Sequence, residues 1–113
     1  MKVELIKDLI ATYGTHYQCD IAKEECAELI KEVSKLTRGK GNIQHLAEEM
    51  ADVAICIEQL QIMFGITDEM LYGWKRLKEK RTEERLIEYK EFNEMWQRLD
   101  KSAKFVNGDD WSD

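Results

Sequence analysis

Apolar residues recur along this chain at intervals of three and four positions, which is the spacing of one face of an α-helix. The first such block covers about residues 2–13 and precedes Gly14, a residue type that commonly follows the last turn of a helix. A second block begins at Thr15, where we expect the Thr15 hydroxyl and the Gln18 side chain to form a reciprocal capping box. The pattern therefore predicts two successive helices, the second of which continues to about Thr37.

A third helical pattern covers about residues 43–64, after a loop at 38–42 that contains two glycines. One apolar stripe of this helix consists of Leu46, Met50, Val53, Ile57, Leu60 and Phe64. Ala51, Ile55 and Ile62 lie on another side. A helix that is apolar on more than one side is either central in its fold or covered by a partner subunit.

A fourth helical region extends from Thr67, a suitable N-cap, to about Leu99. Gly73 is the only helix-weakening residue in it, so the region forms either one long helix or two helices with a break. A helix of about 30 residues measures roughly 45 Å, which exceeds the width of a domain this small. We therefore expect part of the region to pack on another subunit or to project from its own.

The composition favours helices over strands. The 113 residues include no proline, and 35% of them are charged, whereas strand-rich folds need frequent turn residues. We predict an all-α fold, an antiparallel bundle of four to five helices that is completed by oligomerisation. Residues 1–100 are expected to form a single helical domain, and residues 101–113 an acidic, frayed C-terminal tail.

Charge and cysteine content exclude some functions. The net charge of −6 argues against nucleic-acid and anionic-membrane partners, because both require a positive field. No apolar run is long enough to cross a membrane, and the first residues lack the apolar run of a signal peptide. Three cysteines cannot all pair within the chain, which favours a reducing compartment. We therefore expect a cytoplasmic protein.

Two acidic pairs carry the most specific chemistry in the chain. Glu25 and Glu28 on the second helix, and Glu49 and Asp52 on the third, are each spaced three residues apart, so the members of each pair share a helix face. A short loop makes these helices antiparallel neighbours. Four converging carboxylates need protonation, basic partners or divalent cations. Their hard oxygen atoms suit Mg²⁺ or Mn²⁺, and Mg²⁺ prefers phosphate oxygens as further ligands, which favours a nucleotide-phosphate site.

A second interpretation of the same residues remains open. Pairs of glutamates at this spacing are common on solvated helix faces and usually have no ligand. In that case the chain would be a non-catalytic helical interaction module with a solvated acidic face.

The combined motif resembles a known signature. Glu24-Glu25-x-x-Glu28, followed after about twenty residues by Glu49-x-x-Asp52, is similar to the metal-binding signature of the all-α nucleoside triphosphate pyrophosphohydrolases, the MazG-like group. The resemblance covers about residues 18–85. It implies a helical fold whose subunits associate as dimers or tetramers. It also implies Mg²⁺-dependent hydrolysis of a nucleoside triphosphate, with a deoxynucleotide favoured, at the α–β phosphate linkage to the monophosphate and pyrophosphate.

The resemblance also implies roles for individual residues. The metal ligands would be Glu25, Glu28, Glu49 and Asp52. Water would attack the α-phosphorus, and either Glu25 or Glu28 would accept its proton. Lys78 and Arg81 on the fourth helix would bind the triphosphate, although acidic residues alternate with them as on many exposed helices.

Overall fold

The computed structural model describes residues 1–102, which form four α-helices and no β-strand. The helices are α1 (Val3–Tyr13), α2 (Thr15–Thr37), α3 (Ile43–Phe64) and α4 (Asp68–Ser102). The prediction of an all-α fold is therefore confirmed for this part of the chain. The predicted tail at 101–113 begins inside α4, and its residues 103–113 lie outside the described part.

A single glycine joins α1 to α2. Gly14 has φ 88° and ψ 157°, a conformation that glycine alone adopts readily, and its N–H donates to the Ile10 carbonyl at 2.8 Å. The turn is so tight that Thr15 is already helical, and the N-cap of α2 is Gly14, without a side-chain cap. The predicted capping box of Thr15 and Gln18 is therefore wrong. The Gln18 N–H donates instead to the Gly14 carbonyl, and the Gln18 side chain is buried.

The boundaries of α3 follow local backbone chemistry. Asn42 is its N-cap, and the Asn42 side chain accepts a hydrogen bond from the His45 N–H at 2.8 Å. The helix ends at Gly65, which takes the left-handed conformation with φ 66°. The Gln61 side-chain amide then donates to the Ile66 carbonyl and to Asp68 Oδ1, at 3.2 and 2.9 Å.

The fourth helix is continuous. It begins at Asp68, directly after Thr67, and its 35 residues measure roughly 52 Å. Gly73 does not break it, because one helical glycine costs only about 1 kcal/mol.

The chain divides into two compact units, Met1–Asp68 and the part that begins at Glu69. In the first unit, α2 and α3 are antiparallel neighbours, and α1 contacts both of them. The buried apolar side chains of the described residues are Ile6, Ala22 and Cys56, and the buried polar ones are Gln18, Glu32 and Gln59. The core of this unit is therefore small, and half of its buried side chains are polar.

The described part of the second unit consists of α4 after its first residue. No residue of α4 is buried, and its large apolar side chains, such as Trp74 and Leu86, are exposed. Phe92 and Trp96, one turn apart, stack with ring centroids 6.5 Å apart. In residues 1–102 no helix combines the length and the apolar character that a membrane span requires.

Candidate functional site

Three of the four predicted carboxylates meet between α2 and α3. Glu25 extends from α2, and Glu49 and Asp52, three residues apart, extend from one face of α3. One carboxylate oxygen of each residue lies within 4.8 Å of the corresponding oxygens of the other two. All three residues are half-buried, so the group lies at the edge of the helix pair. We call these three residues the carboxylate cluster.

One oxygen of the cluster lacks a partner. Glu49 Oε2 is fully buried and accepts no hydrogen bond. A buried carboxylate oxygen without a donor costs the free energy of its lost hydration, about 1–3 kcal/mol or more. A cation bound at the cluster would remove this cost, and three hard oxygen donors suit Mg²⁺ or Mn²⁺. The residues present therefore fit the metal that the sequence predicts.

The electrostatics of the cluster also favour the binding of a cation. Partial burial raises the pKa of the Glu25 carboxyl, and the negative charges of Asp52 and Glu49 raise it further. In its protonated form, the Glu25 carboxyl can also donate a hydrogen bond to Glu49 or Asp52, which contributes to the same rise in pKa. The fully ionised form of the cluster is therefore unfavourable by itself, and binding of any cation, whether a proton or a metal ion, would relieve the repulsion.

The fourth predicted ligand, Glu28, has a different environment. It lies on α2 one turn after Glu25, is exposed to solvent, and is not a member of the cluster. Glu24, the first residue of the motif, is also exposed. The structure thus separates the motif into three clustered carboxylates and two that face solvent.

Cys56 is a neighbour of the cluster that sequence reasoning did not assign to the site. It lies one turn after Asp52 on α3, and only 2% of its surface is exposed. Burial raises the pKa of the Cys56 thiol, and the charges of Glu25, Cys26 and Asp52 add to the shift. The thiol is therefore held protonated and acts as a small apolar group beside the carboxylates. The sequence does contain a signal for this, because a residue four positions after Asp52 lies on the same helix face and is therefore expected beside the cluster.

The cluster belongs to a longer polar contact line. On α2 the residues Gln18, Ala22, Glu25 and Glu32 share one face, and on α3 Glu49, Asp52, Cys56 and Gln59 share another. The cluster shows that these faces meet, and we call the contact between them the seam.

The seam contains polar atoms without partners. Gln59 Oε1 and Glu32 Oε2 are buried without hydrogen-bond partners, while Glu32 Oε1 accepts a hydrogen bond from Lys35 Nζ at 3.3 Å. The polar character of the seam was not predicted from the sequence, because buried positions were inferred from the spacing of apolar residues alone.

The predicted phosphate ligands lie on α4. Lys78 and Arg81 are exposed and three residues apart, so they share one face of that helix. Arg85, four residues further on, continues the cationic face. The structure therefore retains the predicted cationic stripe, and phosphate binding by it stays a prediction.

An open cavity of the first unit lies away from the cluster. It has a volume of about 570 Å³ and lies between the beginning of α1 and the end of α3. Ile6, Ile62 and Ile66 supply apolar walls, and Lys7 and Glu58 supply charge. None of the predicted site residues lines it, so the cavity does not bear on the metal hypothesis.

Comparisons with protein-family models, with curated proteins and with solved structures find no match to this chain. The resemblance to the MazG-like group therefore rests on the acidic motif, and the family assignment stays a prediction.

Proposed function

We propose that this protein is a Mg²⁺-dependent nucleoside triphosphate pyrophosphohydrolase of the MazG-like type. It would hydrolyse the α–β phosphate linkage of its substrate to give the nucleoside monophosphate and pyrophosphate. The observation that carries the proposal is the carboxylate cluster, in which one oxygen of each residue lies within 4.8 Å of the others. Glu49, a member of the cluster, also has a buried oxygen with no hydrogen-bond partner. A solvated acidic surface does not need such an arrangement, because exposed carboxylates separate to reduce their repulsion.

The metal ligands would be Glu25, Glu49 and Asp52, with Glu28 completing the set from the solvent side. Mg²⁺ is the favoured ion and Mn²⁺ the alternative, because all the donors are carboxylate oxygens. When bound, the ion would supply positive charge that binds the phosphate oxygens and offsets the charge on the leaving pyrophosphate. The exposed position of Glu28 leaves its carboxylate free to approach a ligand without moving α2.

The chain would also supply the base. A water molecule would attack the α-phosphorus and lose its proton to a carboxylate, either Glu25 or Glu28. Glu25 is half-buried beside two other carboxylates, and Glu28 is exposed one turn away. Glu25→Gln and Glu28→Gln would separate these roles, because replacing the base removes the low-pH limb of the pH–rate profile, whereas replacing a ligand raises the metal concentration required.

The remaining parts of the proposal concern substrate and assembly. Lys78 and Arg81 would bind the phosphates, as charged side chains do in other phosphate sites. The favoured substrate is a deoxynucleoside triphosphate, and the base is open. We also propose that the protein acts in the cytoplasm as a homo-oligomer of two or four copies, because the described residues bury only three apolar side chains.

The test is pyrophosphate release from a panel of ribo- and deoxynucleoside triphosphates, with Mg²⁺ and with a chelator. We expect turnover that requires the metal, and a loss of about 100-fold or more in Asp52→Asn, as is typical for the loss of one electrostatic contact to a transition state. Glu48→Gln, an exposed neighbour on α3, is the matched control and should retain activity. Failure to hydrolyse any triphosphate, or full activity in Asp52→Asn, would contradict the proposal and favour the interaction module.

A further inference from the structure

One face of α3 is exposed, apolar and free of charge. Its large side chains are Ile43, Met50, Ile57 and Phe64, which stand seven residues apart and are 72%, 55%, 44% and 58% exposed. Between them lie Ala47 and Ala54, also exposed, and Gln61 completes the pattern. We call these seven residues the heptad face. A spacing of seven over three repeats is typical of helices that pair along their length, because it keeps one stripe facing the partner.

The heptad face is unusual for this chain. Charged residues make up 35% of the sequence, yet none occurs on this face over the whole length of α3. The described residues bury only three apolar side chains, whereas four large ones are exposed along this one helix. Exposing them costs free energy, because apolar surface stabilises a fold only when it is removed from water.

We propose that the heptad face is the contact surface for a second copy of this chain, paired antiparallel about a two-fold axis. Under that symmetry the four large residues are self-complementary, since Met50 meets Ile57 of the other copy and Ile43 meets Phe64. The small side chains of Ala47 and Ala54 leave holes into which the large side chains of the second copy fit.

Charge distinguishes the antiparallel arrangement from a parallel one. The acidic segment of α3, which contains Glu48, Glu49 and Asp52, occupies its N-terminal half. A parallel pair would bring these two segments to the same height, where like charges repel, whereas an antiparallel pair places each beside residues 55–59, of which only Glu58 is charged. Antiparallel helix dipoles also attract each other.

The first unit offers more surface on the same side. On α2, exposed Val33 directly follows buried Glu32, just as on α3 exposed Ile57 directly follows buried Cys56. In an antiparallel helix pair, the residue that directly follows a contact residue lies on the same side of the pair in both helices. Val33 therefore widens the surface beyond one helix, as an interface of the usual 800 Å² or so per partner requires.

This inference rests on the proposed self-association and names its surface, but it depends on neither metal nor catalysis. The experiment is sedimentation equilibrium of the full chain in metal-free buffer, with Met50→Lys, Ile57→Glu, the double variant M50K/I57E and the control Gln44→Lys. Gln44 is exposed on another side of α3, so its variant should associate like the wild type.

The expected result is a wild-type dimer or tetramer. Each single variant should raise the dissociation constant by at least about 30-fold, because it buries a charge at the centre of the interface. The double variant should recover most of this loss, because the lysine introduced at position 50 would meet the glutamate introduced at position 57 of the second copy. A parallel pair would place like charges together, and the double variant would then associate no better than the single ones.

Three outcomes would overturn the proposal, and each contradicts a different part of it. A monomeric wild type removes the proposed self-association as well. An oligomeric wild type whose single variants associate normally removes only this surface. Failure of the double variant to recover removes the antiparallel pairing. Circular dichroism of each variant measures its helix content and so detects misfolding. If a single variant loses both helix content and self-association, the double variant should recover both.

Discussion

The two sides of α3 invert the usual distribution of polarity in a globular protein. Its seam side buries Gln59 and half-buries Glu49 and Asp52, while its heptad face exposes Met50 and Ile57. In most proteins the buried side would be apolar and the exposed side polar. Buried polar groups are unfavourable without a ligand and an exposed apolar face is unfavourable without a partner, which is why we propose a cation for the seam and a second copy of the chain for the heptad face.

The largest expected effect concerns the seam and its ligand. Mg²⁺ at about 100 times its dissociation constant should raise the free energy of unfolding of the wild type by about 2.7 kcal/mol. Asp52→Asn should lose most of this gain, because it removes one of the three charged donors that the cluster supplies. Thermal melting with and without Mg²⁺ measures both, with Glu48→Gln as the control. An equal gain in Asp52→Asn would show that the cluster is not where the metal binds.

A smaller effect concerns the seam without its ligand. Glu49→Gln should raise the metal-free stability by about 1–3 kcal/mol, since it removes a buried charge that lacks a hydrogen-bond donor. The same variant should lose the response to Mg²⁺. Urea unfolding in a chelator measures the first effect, and a loss of stability there would contradict the inference that the buried Glu49 charge destabilises the metal-free protein.

The heptad face should respond to protein concentration. Ile57→Ala should change stability by less than about 0.5 kcal/mol in a dilute monomer, as is usual for exposed positions. At concentrations where copies associate, the same variant should cost about 1–3 kcal/mol, because the side chain is then buried. Melting over a hundredfold concentration range distinguishes the two. A cost that does not change with concentration would place Ile57 within a single-copy core.

The smallest expected effect is on pH dependence. Burial and the neighbouring carboxylates raise the pKa of Glu25 in the folded chain, so folding favours its protonated form. This contribution to stability is fully present below the ordinary glutamate pKa of about 4.3 and is lost as the pH rises through the raised value. Glu25→Gln should therefore flatten the metal-free decline above that pH. A decline of the same slope in the variant would assign it to other groups.

Much of the fold follows from local sequence signals. The bounds of α3 follow from Asn42 and Gly65, which are residues of the types that begin and end helices. The N-cap of α2 was assigned to the wrong residue because the conformation of Gly14 depends on the tight turn itself, and no spacing of side chains encodes it. The sequence alone does not decide whether α4 is continuous, because one glycine weakens a helix without determining where the helix ends.

The site was predictable only in part. Glu25, Glu49 and Asp52 were found because their spacing places them at facing edges of neighbouring helices. The exposure of Glu28 depends on how α2 is rotated about its axis, which a helical wheel does not fix closely enough to separate neighbouring positions. Cys56 was missed because its burial depends in the same way on the rotation of α3 about its own axis.

The turn between α1 and α2 has a consequence for how variation in this protein should be interpreted. No atom lies close enough to contact a methyl group added at Gly14, so packing alone would tolerate alanine there. Its backbone angles would not, because an L-residue in that region is strained by about 1–3 kcal/mol. A saturation mutagenesis screen would therefore find an intolerant position with no packing neighbours, and that intolerance would report backbone geometry, not chemistry.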